Sequence, residues 1–199
     1  MNENTATFRC SRPPNSCRNR SNNRQCANGM IRQFLKDVAW GPLDYLVVDS
    51  PPGTGDEPLS IAQLVGSPAG AVIVTTPQDL SISDVRRCIS FCRSLSLPIV
   101  GIIENMSGFV CPNCGAVSHP FKSGGGKALA LDSGLALLGR IPLDPAIVAS
   151  SDDGTPFVVD NADSAAGRAF AEVTQSILAL DGDIACKTRI ETNTRRTTA

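Results

Sequence analysis

Cys111-Pro-Asn-Cys114-Gly115 puts two thiols three positions apart in a stretch where Pro and Gly shape a tight backbone path. Two thiolates at that spacing can grip one metal centre, and the glycine relieves crowding in the turn. A tetrahedral zinc or a cubane iron–sulfur cluster takes four protein ligands, so one such knuckle supplies half a site. A symmetric dimer presenting one pair from each subunit would complete it, with the two-fold axis through the metal centre. A structural zinc knuckle is the rival reading. For it, His119, the only histidine, lies five residues beyond Cys114 and could serve as a third ligand. As a residue before Pro120, His119 also reads as an ordinary exposed loop side chain. A redox C-x-x-C is a poorer match, because that pair opens a helix in thioredoxin-like units and here Gly and Pro surround it. Cys88 and Cys92 stand at i and i+4 among apolar neighbours and read as buried small hydrophobes.

The second chemical signal is Asp49. The apolar run Tyr45 to Val48 ends in this acid and passes at once into Ser50-Pro-Pro-Gly-Thr-Gly-Asp56. A short apolar run bounded by turn residues reads as a buried strand of a parallel sheet. Ligands of such sheets sit beyond the carboxyl ends of the strands. An acid at that place holds Mg²⁺ in nucleotide sites, directly or through water. The plain alternative is a strand-end Asp that caps the following turn.

The elements that must position these residues alternate along the chain. Further apolar runs lie at Ala71 to Thr76 before Pro77-Gln-Asp79, at Ile99 to Ile103 before Glu104-Asn-Met106, and at Ala136 to Ile141 before Pro142-Leu-Asp144-Pro145. Between them, Ser83 to Leu95 has Val85, Cys88, Ile89, Cys92 and Leu95 at helical spacing, with Ser81 or Ser83 available as its cap. Lys127 to Ser133 is a shorter helix, stopped by Gly134. Asp163 to Leu180 closes the chain as an amphipathic helix, apolar at Ala166, Phe170, Val173, Ile177 and Leu180. Strand and helix in alternation predict an α/β fold: a parallel sheet with flanking crossover helices.

From about Gly29 to Leu180 the chain resembles the C-terminal two-thirds of the Mrp/Nbp-type iron–sulfur cluster carrier ATPases, within the MinD/ParA-like P-loop NTPases. The stretches that carry the resemblance are Ile31-Arg-Gln-Phe-Leu-Lys-Asp-Val38, Asp49-Ser-Pro-Pro-Gly-Thr-Gly-Asp56, Thr75-Thr-Pro-Gln-Asp79, Glu104-Asn-Met106, Cys111-Pro-Asn-Cys114, Gly124-Gly-Gly126 and Gly139-Arg-Ile-Pro-Leu-Asp144. They occur in the family's order and at its spacing. The resemblance implies that Cys111 and Cys114 bind a 4Fe–4S cluster bridging a homodimer, held for transfer to apo iron–sulfur proteins. It also implies ATP with Mg²⁺. Asp49 would position the Mg²⁺, and Gly53, Thr54, Gly55 and Asp56 would form the switch loop that senses the γ-phosphate. Asn105 would contact adenine, with Pro142 and Asp144 lining the same pocket. Pro142-Leu-Asp144-Pro145 is equally an ordinary turn.

One family feature is missing from these residues. The Walker A loop, G-x-x-x-x-G-K-[ST], occurs nowhere in the chain, and only 43 residues precede Asp44. Gly124-Gly-Gly-Lys127 lacks the spacing and the Ser/Thr, and reads as a Gly-rich turn. Without the backbone N–H cradle and lysine for the β/γ-phosphates, ATP hydrolysis by this chain alone is not expected. A partial P-loop sheet is expected, without the phosphate-loop strand and with an open edge beside Tyr45–Val48. Residues 1–28, rich in Asn, Arg, Ser and Pro, read as a disordered arm, in keeping with an N-terminally truncated member of the family. The spacing of Cys10, Cys17 and Cys26 does not match compact cluster motifs. Residues 29–180 form the expected α/β domain, and 181–199 an unstructured tail.

Composition bounds the partners. A net charge of −1 argues against a broad nucleic-acid footprint, and no apolar run is long enough for a membrane span. The expected location is the cytoplasm, where the eight cysteines are thiols or metal ligands and not a disulfide framework. Two functional classes remain: an iron–sulfur carrier, or a non-catalytic metal-binding remnant that acts as regulatory partner of an intact relative.

Overall fold

A computed structural model of the chain describes residues 5–9, 29–35, 37–50, 54–65, 70–111 and 114–185, with backbone alone for 5–9 and 181–185. The fold divides into two compact units, Met1–Ala69 with Arg87–Leu97, and Gly70–Arg86 with Pro98–Ala199.

In the first unit, strand β1 (Thr5–Arg9) runs parallel to β2 (Tyr45–Asp49), in register from Thr5↔Tyr45 to Arg9↔Asp49. Helix α1 (residues 29–35) lies between them in sequence and buries Ile31. Helix α2 (Asp56–Val65) follows β2, with Asp56 and Glu57 in its first turn, where acids suit the positive end of the helix dipole. Pro58 is tolerated there because first-turn N–H groups have no intrahelical partner. Ser60 and Ile61 face inward, and Ser60 Oγ donates to the Asp56 carbonyl at 2.7 Å. Helix α3 (Asp79–Ser94) begins in the second unit and ends in the first. Its final turn closes as a Schellman motif: Leu97 N–H donates to the Cys92 carbonyl at 2.9 Å, and Ser96 N–H to that of Arg93 at 3.0 Å. Ser96 takes the left-handed position at φ 54°.

The second unit is built on β4 (Ile99–Val110), which pairs in parallel with β3 (Ala71–Thr75) on one edge and β6 (Leu137–Leu143) on the other. The short strand β5 (Val117–Ser118) folds back antiparallel on the end of β4. Helix α4 (Gly125–Ser133) connects β5 to β6, then come α5 (Pro145–Asp153), α6 (Phe157–Asp160) and α7 (Ala165–Ala185). The core joins Ile103 of β4, Leu138 and Ile141 of β6, and Val173 of α7, with Phe170, Ile177 and Leu180 packed against it. Phe157 meets Phe170 edge-on at 6.2 Å between ring centroids. The apolar face expected of the closing helix is the face it buries.

The parallel α/β architecture stands as expected; several local expectations change. Residues 5–9 were expected to lie in a disordered arm, yet they form β1 and occupy an edge of β2 that was expected to be open. Their β-branched and aromatic residues suit a strand, but only pairing with the distant β2 satisfies their backbone groups. Residues 1–4 and 10–28, with Cys10, Cys17 and Cys26, lie outside the described residues. The closing helix extends five residues past Leu180, into the expected tail. Helix α3 starts at Asp79, ahead of the expected Ser83, and Ser81 lies inside it. Strand β4 continues seven residues beyond Ile103. No helix among the described residues is long and apolar enough to cross a membrane.

Candidate functional site

Cys111 and Cys114 sit at the turn of the β4–β5 hairpin, whose ladder pairs Phe109↔Ser118 and Val110↔Val117. The Cys111 N–H extends that ladder, donating to the Ala116 carbonyl at 2.9 Å, while its own carbonyl accepts from Gly115 N–H at 2.9 Å. Gly115 adopts φ 71°, a left-handed conformation that a side chain would strain. One cysteine is therefore fixed through its backbone at the base of the turn, half-buried, and the other is exposed. His119 does not join them: its ring lies against Gly108, where an added Cβ would be 3.1 Å from Nδ1. Among the described residues, no group of three or more His, Cys, Asp or Glu side chains could hold a metal. The hairpin presents a two-thiol half-site.

β4 reaches this hairpin by passing through a polar cluster at the carboxyl ends of the strands. Glu104 is fully buried, and its two carboxyl oxygens accept from Ser107 Oγ and from Gly126 N–H, each at 2.5 Å. The second bond satisfies an N–H of the first turn of α4, one of the groups a helix start leaves without an internal partner. Met106, at φ 55°, turns the strand, and its N–H donates to Asn105 Oδ1 at 2.9 Å. On β3, buried Thr75 exchanges a hydrogen bond with Ser81 Oγ, which also accepts from Thr76 N–H. The glycine run has a packing cause: a Cβ on Gly125 would stand 2.4 Å from the Pro77 carbonyl oxygen, and one on Gly126 2.9 Å from Glu104. Gly126 N–H is directed to Glu104 and Lys127 is exposed, so the Gly-rich turn is a close-packing device around a buried acid. Glu104 escaped notice as a site residue because a polar residue after an apolar run reads as a strand end. The nearby glycine run was the available signal that something packs closely there.

The residues expected to serve nucleotide fall in both units. Asp49 is exposed at the carboxyl end of β2, Thr54 and Gly55 lead into α2, and Asp56 is its first residue; Gly53 lies outside the described residues. In the second unit Asn105 pairs in register with Ile141, which puts Pro142 beside it on the adjacent strand, with Asp144 two residues on. Asp144 is the N-cap of α5: its Oδ1 accepts from Ala146 N–H at 2.9 Å, with Pro145 at the first helical position. Asp144→Ala should therefore lower stability by about 1 kcal/mol in a urea titration of the full chain.

On α3, Cys92 is 3% exposed and Cys88 half-buried. The Cys92 thiol donates to the Cys88 sulfur and lowers the Cys88 pKa to about 7, against the opposing pull of burial. The same hydrogen bond, then burial, raises that of Cys92. The pair was expected to be buried small hydrophobes; Cys92 is buried, and Cys88 is only half-buried.

Strands whose carboxyl ends carry the polar loops, with helices between, define an open parallel α/β fold. The fold matches the cell division ATPase MinD of Pyrococcus furiosus (TM-score 0.59, 22% identity, 81% of this chain and 62% of that one). Residues 23–178 match the ParA-type family of NUBPL iron-transfer P-loop NTPases, and the chain belongs to that family. It is 49% identical over 153 residues to the bovine (Bos taurus) cytosolic Fe-S cluster assembly factor NUBP2, covering 76% of this chain and 56% of that protein. A nucleotide-binding protein from Archaeoglobus fulgidus, solved in complex with ADP, is 43% identical at TM-score 0.59, covering 67% of this chain and 54% of that one. The chain thus spans little more than half the length of these two relatives.

Proposed function

We propose that this chain carries an iron–sulfur cluster as cargo, bound as 4Fe–4S by Cys111 and Cys114 of two subunits and passed to apo iron–sulfur proteins of the cytosol. The observation that carries the reading is the hairpin: two cysteines three positions apart, one fixed through its backbone by the β4–β5 ladder and one exposed. A four-ligand centre then draws its other two thiolates from a second copy. The exposed position of Cys114 suits a cargo that must leave by ligand exchange. The bovine relative, named as a cytosolic assembly factor, supports both the cargo and the compartment.

Nucleotide is the second half of the reading, supported by the ADP held by the Archaeoglobus relative. In this chain Asp49 would position Mg²⁺ beyond β2, residues 53–56 would follow the γ-phosphate, and Asn105 and Pro142 would face the base. Asp144 already holds one carboxyl oxygen on the α5 start, which leaves the other for a ligand. Bound ATP would supply the phosphate whose presence or loss the switch loop senses. With no Walker A sequence in these residues, hydrolysis requires phosphate-binding groups from beyond them.

The test is anaerobic reconstitution of the full chain with iron and sulfide, followed by iron, sulfide and zinc analysis and by sedimentation. Four irons per two chains, with dimer formed only when iron is bound, is the expected result. Zinc in place of iron, or iron held by a monomer, would overturn the carrier reading in favour of a structural zinc knuckle or a remnant that partners an intact relative.

A further inference from the structure

Helix α3 carries a second pair of sulfur atoms that the cluster-carrying reading does not use. Cys88 and Cys92 are one helical turn apart, and both are free thiols. Cys92 is buried and Cys88, on the same face of the helix, is half-buried. We propose that Cys88 and Cys92 form a peroxide-reactive dithiol, in which Cys88 is the attacked sulfur and Cys92 resolves it to an intrahelical disulfide.

The assignment of roles follows from the surroundings. Cys88 is the more accessible sulfur and receives the hydrogen bond, which stabilises its thiolate; its pKa falls to about 7 from an ordinary 9.0. Cys92 is buried and held as the thiol. Reactive sensor cysteines have this combination of thiolate character, access and an adjacent resolving thiol. In the first step the Cys88 thiolate attacks one peroxide oxygen, the O–O bond breaks, and hydroxide or alkoxide leaves. Cys88 is then a sulfenic acid. In the second step the Cys92 sulfur displaces the hydroxyl from Cys88, and that hydroxyl leaves as water with the Cys92 proton. The two electrons lost by the thiol pair have gone to the peroxide.

Helix geometry sets the condition for closing the bond. Cα atoms four residues apart in an α-helix stand about 6 Å from each other, inside the span of a disulfide, but the Cβ atoms must draw in to roughly 4 Å. The turn that must bend, from Cys88 to Cys92, stops two residues short of the end of α3 at Ser94. The closure of that end depends on the Leu97 to Cys92 hydrogen bond and on Ser96 in a left-handed conformation that a Cβ disfavours. A disulfide formed by distorting a helix end is strained and returns readily to the dithiol. The pair is thus reversible by ordinary thiol reductants.

The chain itself supplies a clean assay. Arg87 and Arg93 bracket residues 88–93, so trypsin releases a peptide holding these two cysteines and no others. The full chain is treated with hydrogen peroxide, quenched with an alkylating reagent, digested and weighed, with and without prior reduction. The expected result is a peptide two hydrogen atoms lighter and free of alkyl label, converted back by reductant. In Cys92→Ser protein, dimedone is expected to trap sulfenic acid on Cys88; in Cys88→Ala protein, Cys92 should remain fully alkylated. Complete alkylation of both sulfurs in the native chain after peroxide would overturn the proposal. So would oxidation of Cys92 at an undiminished rate without Cys88. Should Cys92→Ser fail to fold, the native peptide mass still decides whether the disulfide forms.

Discussion

Cys111→Ser and Cys114→Ser are each expected to abolish iron retention after reconstitution, and His119→Ala to leave it intact. A serine hydroxyl replaces a thiolate with a weak, hard donor, and a centre needing four sulfur ligands is left with two when both subunits of a dimer carry the change. The loss should be all or none, since the hairpin contributes two ligands and neither has a neighbour to take its place among the described residues. His119 separates the two metals. A zinc knuckle within one chain would recruit it, and its removal would then release metal. Its ring instead lies against Gly108, so its loss should change packing by a few tenths of a kcal/mol and iron content not at all. Mixing Cys111→Ser with unmodified chains adds a further check. The heterodimers would hold three thiolates, and iron should fall with the fraction of altered chains more steeply than in proportion.

What could be read from the residues alone depended on how strongly each element repeats. Helix α3 was clear because Val85, Cys88, Ile89 and Cys92 mark one face, and all four are buried or half-buried, with half-buried Leu95 just past the helix end. α7 was clear for the same reason. β1 was not, because five residues in a polar arm become a strand only by pairing with β2, a contact with no local signal. α5 hid in plain view: Asp144 followed by Pro145 is a turn signal and a helix-start signal at once, and only the Ala146 hydrogen bond decides between them. The cysteine pair was evident from its spacing. Its hairpin was not, since a β5 of two residues has no periodicity to detect.

The extension of β4 is the instructive miss, and it leads to the second large effect. Glu104→Ala is expected to destabilise the chain by about 3 kcal/mol in denaturant unfolding, more than any single change in the polar cluster apart from Gly125→Ala, which forces a Cβ into the Pro77 carbonyl. The change deletes two hydrogen bonds and leaves the buried Gly126 N–H with no acceptor, so it carries the penalty of an unsatisfied group as well as the lost interaction. Glu104→Gln should cost about 1 kcal/mol, because its carbonyl can still accept from Gly126 while its amide donates to a rotated Ser107 hydroxyl. That difference between Ala and Gln is the signature of a satisfied buried pair; equal losses would mean that side-chain volume alone matters. The same bond explains why a strand runs on through Glu104 and Asn105. A buried acid ends an apolar run in sequence, but here Ser107 and the start of α4 meet its polar atoms, and the backbone proceeds through Met106 to the hairpin. Glu104→Ala keeps both thiols, so any fall in iron retention by the folded variant reports how firmly β4 positions Cys111.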